Sequence, residues 1–148
     1  MPYVRGTQGV AVDGVPVYEE LRLKTVTTNH TIPGRLVIRN TDDNHVVLAG
    51  DNAINTVGYM APVPSHDSDT DFAAEDWLRI GHGPGVVVPL TAITGQTIVK
   101  GDLLSPAANG MVKSAGATPD YAKVVAKAEE SVTTGTLASA PINARMLI

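Results

Sequence analysis

The chain has 148 residues, of which 15 are Asp or Glu, 11 are Lys or Arg and none is cysteine, and its formal net charge is -4. This length fits one domain with a sizeable core, and the lack of cysteine excludes disulfides, thiolate nucleophiles and cysteine-ligated metal sites. The basic residues are scattered, so we expect no binding to nucleic acid. No apolar run reaches the roughly 18 residues of a membrane span, and none forms a signal peptide, so we expect a soluble protein that does not bind a membrane.

The composition points to β structure. Only 18% of the residues are charged and 4% are aromatic, whereas Val, Thr and Ala are abundant and Gly and Pro number 14 and 10. Such a mixture favours short strands separated by tight turns over long helices. We therefore predict a mainly β fold, a single compact β-barrel or sandwich of the β-tulip kind, with an extended N-terminal arm and at most one or two short helices.

Residues 1–17 are rich in Gly and Pro and contain too few apolar residues for a core element, so they are predicted to form the arm, and 18–148 the β-rich domain. The stretch "ELRLKTV" (20–26) alternates, which predicts a half-buried strand with Leu21 and Leu23 on one face. Residues 35–49 predict a hairpin whose first strand turns Leu36 and Ile38 inward.

The middle of the chain, 62–85, is predicted to be an acidic, Gly- and Pro-containing loop insertion. Its first part, "PVPSHDSDTD" (62–71), reads as a surface loop. The next, "FAAEDWLRI" (72–80), has helix-compatible spacing and predicts two turns of helix. The glycine-rich "GHGPG" (81–85) lacks the Lys-Ser/Thr of a phosphate loop and predicts a turn into the next strand.

Five short apolar runs follow, each bounded by Gly, Pro, Asn or Ser. The segment 121–132, "YAKVVAKAEESV", is ambiguous, because its apolar spacing suits an amphipathic helix as well as a strand. We favour a strand over Lys123–Ala128 followed by a turn, in keeping with the β rhythm around it.

No motif in the sequence supplies catalysis. The four histidines have no ligand spacing, Ser65, His66 and Asp67 are chain neighbours and cannot orient as a triad, and no GxSxG elbow is present. We expect a protein that is not an enzyme and has no cofactor.

The residues to consider for a cation are Asp67, Asp69 and Asp71, which alternate as in a calcium loop. An EF-hand needs Gly and Glu where this chain has Phe72 and Leu78, so that motif fails. We expect an acidic, solvated loop and no metal site, with a calcium site of another type as the alternative.

The C-terminal part, roughly residues 93–148, resembles the capsid decoration proteins of tailed phages and related viruses, also called cement or head-stabilising proteins. The resemblance rests on "ITGQTIVKGDLLSPAANGMVKSAG", "AKVVAKAEESVTTGT" and a terminal "INARMLI". These match that family's Gly-Asp-apolar-apolar-Ser-Pro hairpin, its Val/Ala strand and its closing strand. The acidic middle segment is longer than this family leads one to expect.

The resemblance implies a non-enzymatic protein that is made in the host cytoplasm and sits in the virion on the outer capsid surface. It implies the major capsid protein as partner, a homotrimer as the assembly, and an N-terminal arm that adds a strand to a capsid-protein sheet. The arm residues expected to contact the shell are Pro2, Tyr3, Val4, Arg5, Val10 and Val12.

Two other functions remain open. One is a different structural virion component, such as a tail or fibre-base β domain, and the other is a small β-barrel that binds a ligand or acts as an enzyme, with "VKGDLL" (99–104) shaping a pocket. For the stretch "KGDLLSPAANGMVKSAG" (100–116), we predict that Gly101 and Asp102 form a turn and that the carboxylate of Asp102 caps it.

Overall fold

The computed structural model describes residues 7–148, which form twelve β-strands and a short 3-10 helix, Ala108–Gly110, with no α-helix among them. The strands are β1 (Val17–Leu23), β2 (Leu36–Arg39), β3 (His45–Leu48), β4 (Thr56–Ala61), β5 (Trp77–His82), β6 (Val87–Ala92), β7 (Thr97–Ile98), β8 (Leu103–Pro106), β9 (Val112–Ser114), β10 (Ala126–Ala128), β11 (Val132–Thr133) and β12 (Ala140–Met146). The prediction of a mainly β fold is confirmed. No helix in the described residues is long and apolar enough to cross a lipid bilayer.

Ten of these strands close into two five-stranded barrels, where the prediction had one. Around the first barrel the order is β1–β3–β2–β4–β5, and around the second it is β6–β9–β8–β10–β12. Strands β7 and β11 pair with each other as a separate two-stranded sheet. Closure into barrels leaves few free strand edges, which are the usual sites of unwanted pairing between chains.

The N-terminal predictions of strand and hairpin are confirmed. Leu21 and Leu23 lie on the inner face of β1, at 2% and 0% exposure. Strands β2 and β3 pair antiparallel within the segment 35–49. The inward face of β2 is more complicated than the alternation predicts, because both of its faces are covered.

The helix predicted over residues 72–80 is wrong. The Ala73 N–H donates to the Asp76 carboxylate at 2.8 Å, and Glu75 adopts a positive φ of 68°, so the chain turns tightly here. It then continues as β5, which pairs with both β1 and β4. The predicted loop insertion 62–85 therefore contains a wall strand of the first barrel, β5, whose period-2 spacing buries Leu78 and Ile80 together.

Further along the chain, the preference for a strand within 121–132 is confirmed. Residues 121–123 form a turn and β10 follows, paired with β8 and β12. The turn predicted at 81–85 also lies where expected, between β5 and β6. In the segment 121–132 the local spacing suited a helix or a strand, and pairing with β8 and β12 on either side stabilises the strand.

The second barrel repeats the connectivity of the first. In chain order, β1, β2, β3, β4 and β5 correspond to β6, β8, β9, β10 and β12, and in each barrel the first and third of these strands make the one parallel pair. The strand registers agree as well, because Leu21 lies opposite Leu78 in the first barrel as Leu90 lies opposite Ile142 in the second. Equivalent residues are 69 positions apart in the first strand of each repeat (Leu21 and Leu90) and 64 apart in the last (Leu78 and Ile142). The chain is thus a tandem repeat of one five-stranded unit.

Individual hydrogen bonds recur at the same places in the two repeats. The Lys24 N–H donates to the carbonyl of Val46 at 2.9 Å, and the Ile93 N–H donates to that of Val112 at 2.9 Å. The sequence keeps a short trace of the repeat in "TNHTI" (28–32) and "TGQTI" (94–98). Both segments place their second residue at positive φ, 65° for the asparagine and 75° for the glycine.

The two barrels have separate cores that meet at a shared wall. Val37 and Met60 point into the first barrel, whereas their neighbours Leu36 and Tyr59 belong to the apolar cluster of the second. Adjacent residues of a strand face opposite sides, so β2 and β4 separate two apolar volumes and are buried on both faces. This is why the alternation in β2 does not mark an inner and an outer face.

Candidate docking surface

Part of the predicted arm lies along the second barrel. The Val12 N–H donates to the carbonyl of Val87 at 2.8 Å, the Val87 N–H donates to that of Asp13 at 2.9 Å, and the Gly9 N–H donates to that of Pro89 at 3.0 Å. The segment 9–13 therefore covers the edge of β6, as an added strand does.

Of the residues predicted to contact a shell, two are described. Val10 is 42% exposed and Val12 is half-buried. The others, Pro2, Tyr3, Val4 and Arg5, lie outside the described residues. The arm prediction therefore stays a prediction for residues 1–6.

Gly9 shows how tightly this segment is held. A Cβ on this glycine would lie 2.4 Å from the Met60 carbonyl oxygen and 2.9 Å from the Gly34 nitrogen, and its φ is 77°. Beside it, the Thr91 hydroxyl donates to the Gln8 side-chain oxygen at 2.6 Å. The segment is wedged between the two barrels, so it belongs to the folded domain.

The three aspartates considered for a cation do not converge. The Asp67 carboxylate accepts the Asp69 N–H at 3.0 Å. The Asp71 carboxylate accepts the Asn29 N–H at 2.7 Å and the Thr31 N–H at 3.1 Å, which ties the acidic loop to the turn before β2. Burial by itself would raise the pKa of Asp71, but these hydrogen bonds outweigh it and hold the pKa below its ordinary value.

Among residues 7–148 no group of three His, Cys, Asp or Glu side chains is placed to hold a metal ion. The histidines make separate local contacts. His30 Nδ1 accepts from the Arg35 guanidinium at 3.0 Å, and burial, with the nearby guanidinium charge, lowers the pKa of His30. His66 stacks on Phe72, with ring centroids 4.1 Å apart.

The stretch 100–116 joins the two barrels. The Asp102 carboxylate accepts the Val99 N–H at 2.9 Å, which confirms the predicted cap. At the far end of the hairpin, the Gly110 N–H donates to the Ala49 carbonyl of the first barrel at 2.8 Å, and the Arg35 guanidinium donates to the Asn109 carbonyl at 3.3 Å. These contacts give the stretch a structural role.

A shallow cleft of about 350 Å³ lies beside this hairpin. The cations that line it already have partners, because Lys113 pairs with Asp51 at 2.6 Å and Lys123 pairs with Asp120 at 3.3 Å. The cleft therefore offers no unpaired charge to a small acidic ligand.

The outer face of β1 and β5 is a different kind of surface. Its outward side chains are Tyr18, Glu20, Arg22, Trp77 and Arg79, which we call the β1–β5 face. The Arg22 guanidinium lies 4.6 Å from the centroid of the Trp77 ring, and that of Arg79 lies 5.4 Å from the Tyr18 ring. Exposed aromatic rings stacked with arginine are typical of the residues that dominate protein–protein binding energy.

Ionic contacts hold one end of this face. The Glu75 carboxylate lies 2.8 Å from His45 Nε2 and 3.7 Å from the Arg22 guanidinium. The hydrogen bond with Glu75 raises the pKa of His45, and the same bond lowers the pKa of Glu75. Arg22 therefore contacts both the Glu75 carboxylate and the Trp77 ring, so the ionic network and the aromatic pair meet at one side chain.

No family model matches the sequence, and no curated protein matches it either. Among solved structures, the fold is similar to the crystal structure of the N base of head fibre gp8.5 in bacteriophage phi29. The TM-score is 0.53 and the identity 19%, and the alignment covers 89% of this chain and 94% of that one. A likeness at this identity establishes the fold, and it extends over both barrels.

Sequence reasoning missed the β1–β5 face. A usable signal was present, because Tyr18, Glu20 and Arg22 alternate with the inward Leu21, but Tyr18 precedes the predicted strand 20–26 and lies at the border of the predicted arm. The partner strand β5 was hidden by the helix prediction, so Trp77 was not placed beside them.

Proposed function

We propose that this chain is a structural protein of a virus particle that binds the outside of an assembled capsid shell and stabilises it. The observation that carries the proposal is the likeness to a phage head-fibre base over nearly the whole of both chains. One barrel shared with another protein would be weak support, since barrels serve many functions. A tandem pair of barrels with a shared wall is a more specific arrangement.

The described side chains also support a binding role without catalysis. His45 and Glu75 pair with each other, and Asp71 and Asp102 accept backbone N–H groups. The exposed aromatic–arginine pairs lie on the outer wall of the first barrel. A site of this composition binds a protein surface, and in this proposal no cofactor and no nucleic acid takes part.

The partner that we propose is the major capsid protein, and the proposed assembly is a homotrimer made in the host cytoplasm and added to the outer surface of the virion head. Three copies that dock together must be released together, which raises the effective affinity well above that of one contact. A protein that binds only the assembled shell stabilises that shell by linkage.

A second candidate is the base of a fibre attached to the head. The same likeness favours it, because the similar structure is itself a fibre base. Electron microscopy of labelled particles distinguishes the two candidates: a fibre base carries a projecting shaft, whereas a decoration protein lies flat on the shell.

The deciding experiment adds the purified protein to preformed, undecorated shells. We expect saturable binding and a higher melting temperature of the shells, and the absence of both would refute the proposal. Deletion of residues 1–6 tests the arm. If the arm contacts the shell, this variant melts like the full chain but binds shells less tightly, whereas unchanged binding would remove the arm from the proposal.

The mass of the free and the shell-bound protein tests the trimer. Light scattering of the free protein and counting of copies per site by image reconstruction give this mass independently. A monomer in both states would contradict the proposed trimer and leave shell binding as a separate result.

A further inference from the structure

The tandem repeat permits a comparison that neither barrel allows by itself. Residues 17–23 of β1 correspond to 86–92, so Tyr18 is equivalent to Val87 and Glu20 to Pro89. On β6, the edge that carries Val87 and Pro89 is covered by the segment 9–13. The matching edge of β1 is the one that carries Tyr18 and Glu20.

The direction of the backbone groups on β1 is fixed by its neighbours. The Arg22 N–H donates to the Asn44 carbonyl at 2.7 Å on the β3 side, and the Leu23 N–H donates to the Asp76 carbonyl at 3.0 Å on the β5 side. Because these directions alternate along a strand, the N–H and C=O groups of Tyr18 and Glu20 point away from β5. Strand β3 pairs with β1 only at Arg22 and Leu23, so it does not reach them.

Nothing in the described part of the chain covers this portion of the edge. Tyr18 is 47% exposed and Val17 is 58% exposed, whereas Val87, the equivalent of Tyr18, is fully buried under its added strand. A strand edge with unpaired backbone groups is a template for another strand. In the second repeat the same template is filled.

We propose that the edge of β1 at Tyr18–Glu20 binds an extended segment of another virion protein, which adds a strand to the first barrel in the way that residues 9–13 add one to the second. This inference rests on the proposed function for the identity of the partner. Residues 9–13 already lie on β6 and cannot also bind here, and we assign this edge to a segment of a different protein.

The neighbouring side chains suit such a segment. The incoming strand would lie beside Tyr18, whose ring is stacked by Arg79, with Trp77 and Arg22 further along the same face. Backbone hydrogen bonds to the edge supply affinity in this mode of recognition, and the side chains beside the added strand supply selectivity.

The repeat also supplies a matched substitution. Tyr18→Pro removes one N–H from the open edge, at the position equivalent to Val87, whose N–H donates to the Asp13 carbonyl in the second repeat. The Tyr18 N–H points away from β5, so the proline removes no hydrogen bond of the barrel itself. Tyr18→Ala removes the same ring but keeps the N–H. The two variants separate a backbone contact from a side-chain contact.

The experiment measures hydrogen–deuterium exchange at single residues, for the full chain alone and bound to undecorated shells. In the free chain we expect fast exchange at the Tyr18 and Glu20 amides and slow exchange at Val87. On shells, exchange at Tyr18 and Glu20 should slow by at least about tenfold. Tyr18→Pro should weaken shell binding at least about tenfold more than Tyr18→Ala does, because the proline also removes a backbone hydrogen bond and introduces a clash.

The partner is identified by replacing Tyr18 with a photo-crosslinking amino acid in shell-bound protein. A crosslink to another virion protein supports the inference, and a crosslink only to a second copy of this chain overturns it. Unchanged exchange at Tyr18 and Glu20 on shells, or equal weakening by both Tyr18 variants, also overturns it while leaving the proposed function intact. Failure of the unaltered chain to bind shells overturns the proposed function, and with it the assignment of this edge to a virion partner.

Discussion

Gly110→Ala tests whether the hairpin between β8 and β9 couples the two barrels. Gly110 has a φ of 72°, and a Cβ on it would lie 2.6 Å from the Leu36 carbonyl oxygen and 3.0 Å from the Leu36 nitrogen. Both atoms belong to the backbone of β2, which cannot give way without disturbing the wall between the two cores. Two separate costs therefore act at this position.

The left-handed backbone conformation costs an alanine roughly 1–2 kcal/mol. Forcing a methyl group into a packed site costs roughly 1–3 kcal/mol more. We expect Gly110→Ala to lower the free energy of unfolding by about 2–5 kcal/mol. At about 2–4 °C per kcal/mol for a chain of this size, the melting temperature should fall by about 4–20 °C.

Gly116→Ala is the matched control. Its φ is 84°, but no atom lies within 4 Å of the added Cβ, so it reports the conformational cost alone. Urea unfolding of the two variants and the unaltered chain, at constant m-value, gives the comparison. If the two substitutions cost the same, Gly110 is not a contact between the barrels and the reasoning fails.

Three further predictions concern the acidic loop, the ionic network and the N-terminal segment. Asp71→Asn should lower the free energy of unfolding in urea by about 1.5–3 kcal/mol, because a charged acceptor of two backbone N–H groups is lost. The control Asp67→Asn should lower it by less than about 0.5 kcal/mol. Equal effects of the two substitutions would contradict the structural role of Asp71. Because the pKa of His45 is raised in the fold, its pairing with Glu75 contributes fully to folding stability below the unfolded pKa of about 6.5, and this contribution is lost as the pH rises through the folded pKa. NMR titration should give His45 a pKa above about 6.5, and Glu75→Gln should return it to the ordinary range. An unchanged pKa in that variant would refute the pairing. Deletion of residues 1–13 should bare the β6 edge, lower the melting temperature and promote self-association measurable by gel filtration; a stable monomer would show that the segment is dispensable.

The sequence predicted the fold class and several individual elements. Leu21 and Leu23 alternate with polar residues, which is enough to fix an inner face on β1, and the turn cluster before His45 is enough to fix the hairpin. Asp102 was assigned to a turn cap because a carboxylate after glycine readily accepts nearby N–H groups. These predictions depend on neighbours within a few residues.

The predictions that failed depend on distant parts of the chain. Residues 72–80 suit a helix by local spacing, and only pairing on both sides, by β1 and β4, makes Trp77–His82 a strand. The burial of β2 on both faces likewise follows from the second barrel, whose first strand begins only at Val87. Local propensity is weak compared with the burial and hydrogen bonding that a completed barrel supplies.

The sequence by itself determined that this protein is a β-rich chain without cysteine, held together by Val, Ile and Leu and punctuated by Gly, Pro and Asn. Tertiary structure alone decided that it folds as two repeats of one barrel, that residues 9–13 close one strand edge, and that the equivalent edge at Tyr18–Glu20 is left without a cover from the described chain. The reason is physical: alternation and turn residues fix the direction of each strand, but which edge finds a partner depends on contacts between segments that the chain brings together only on folding.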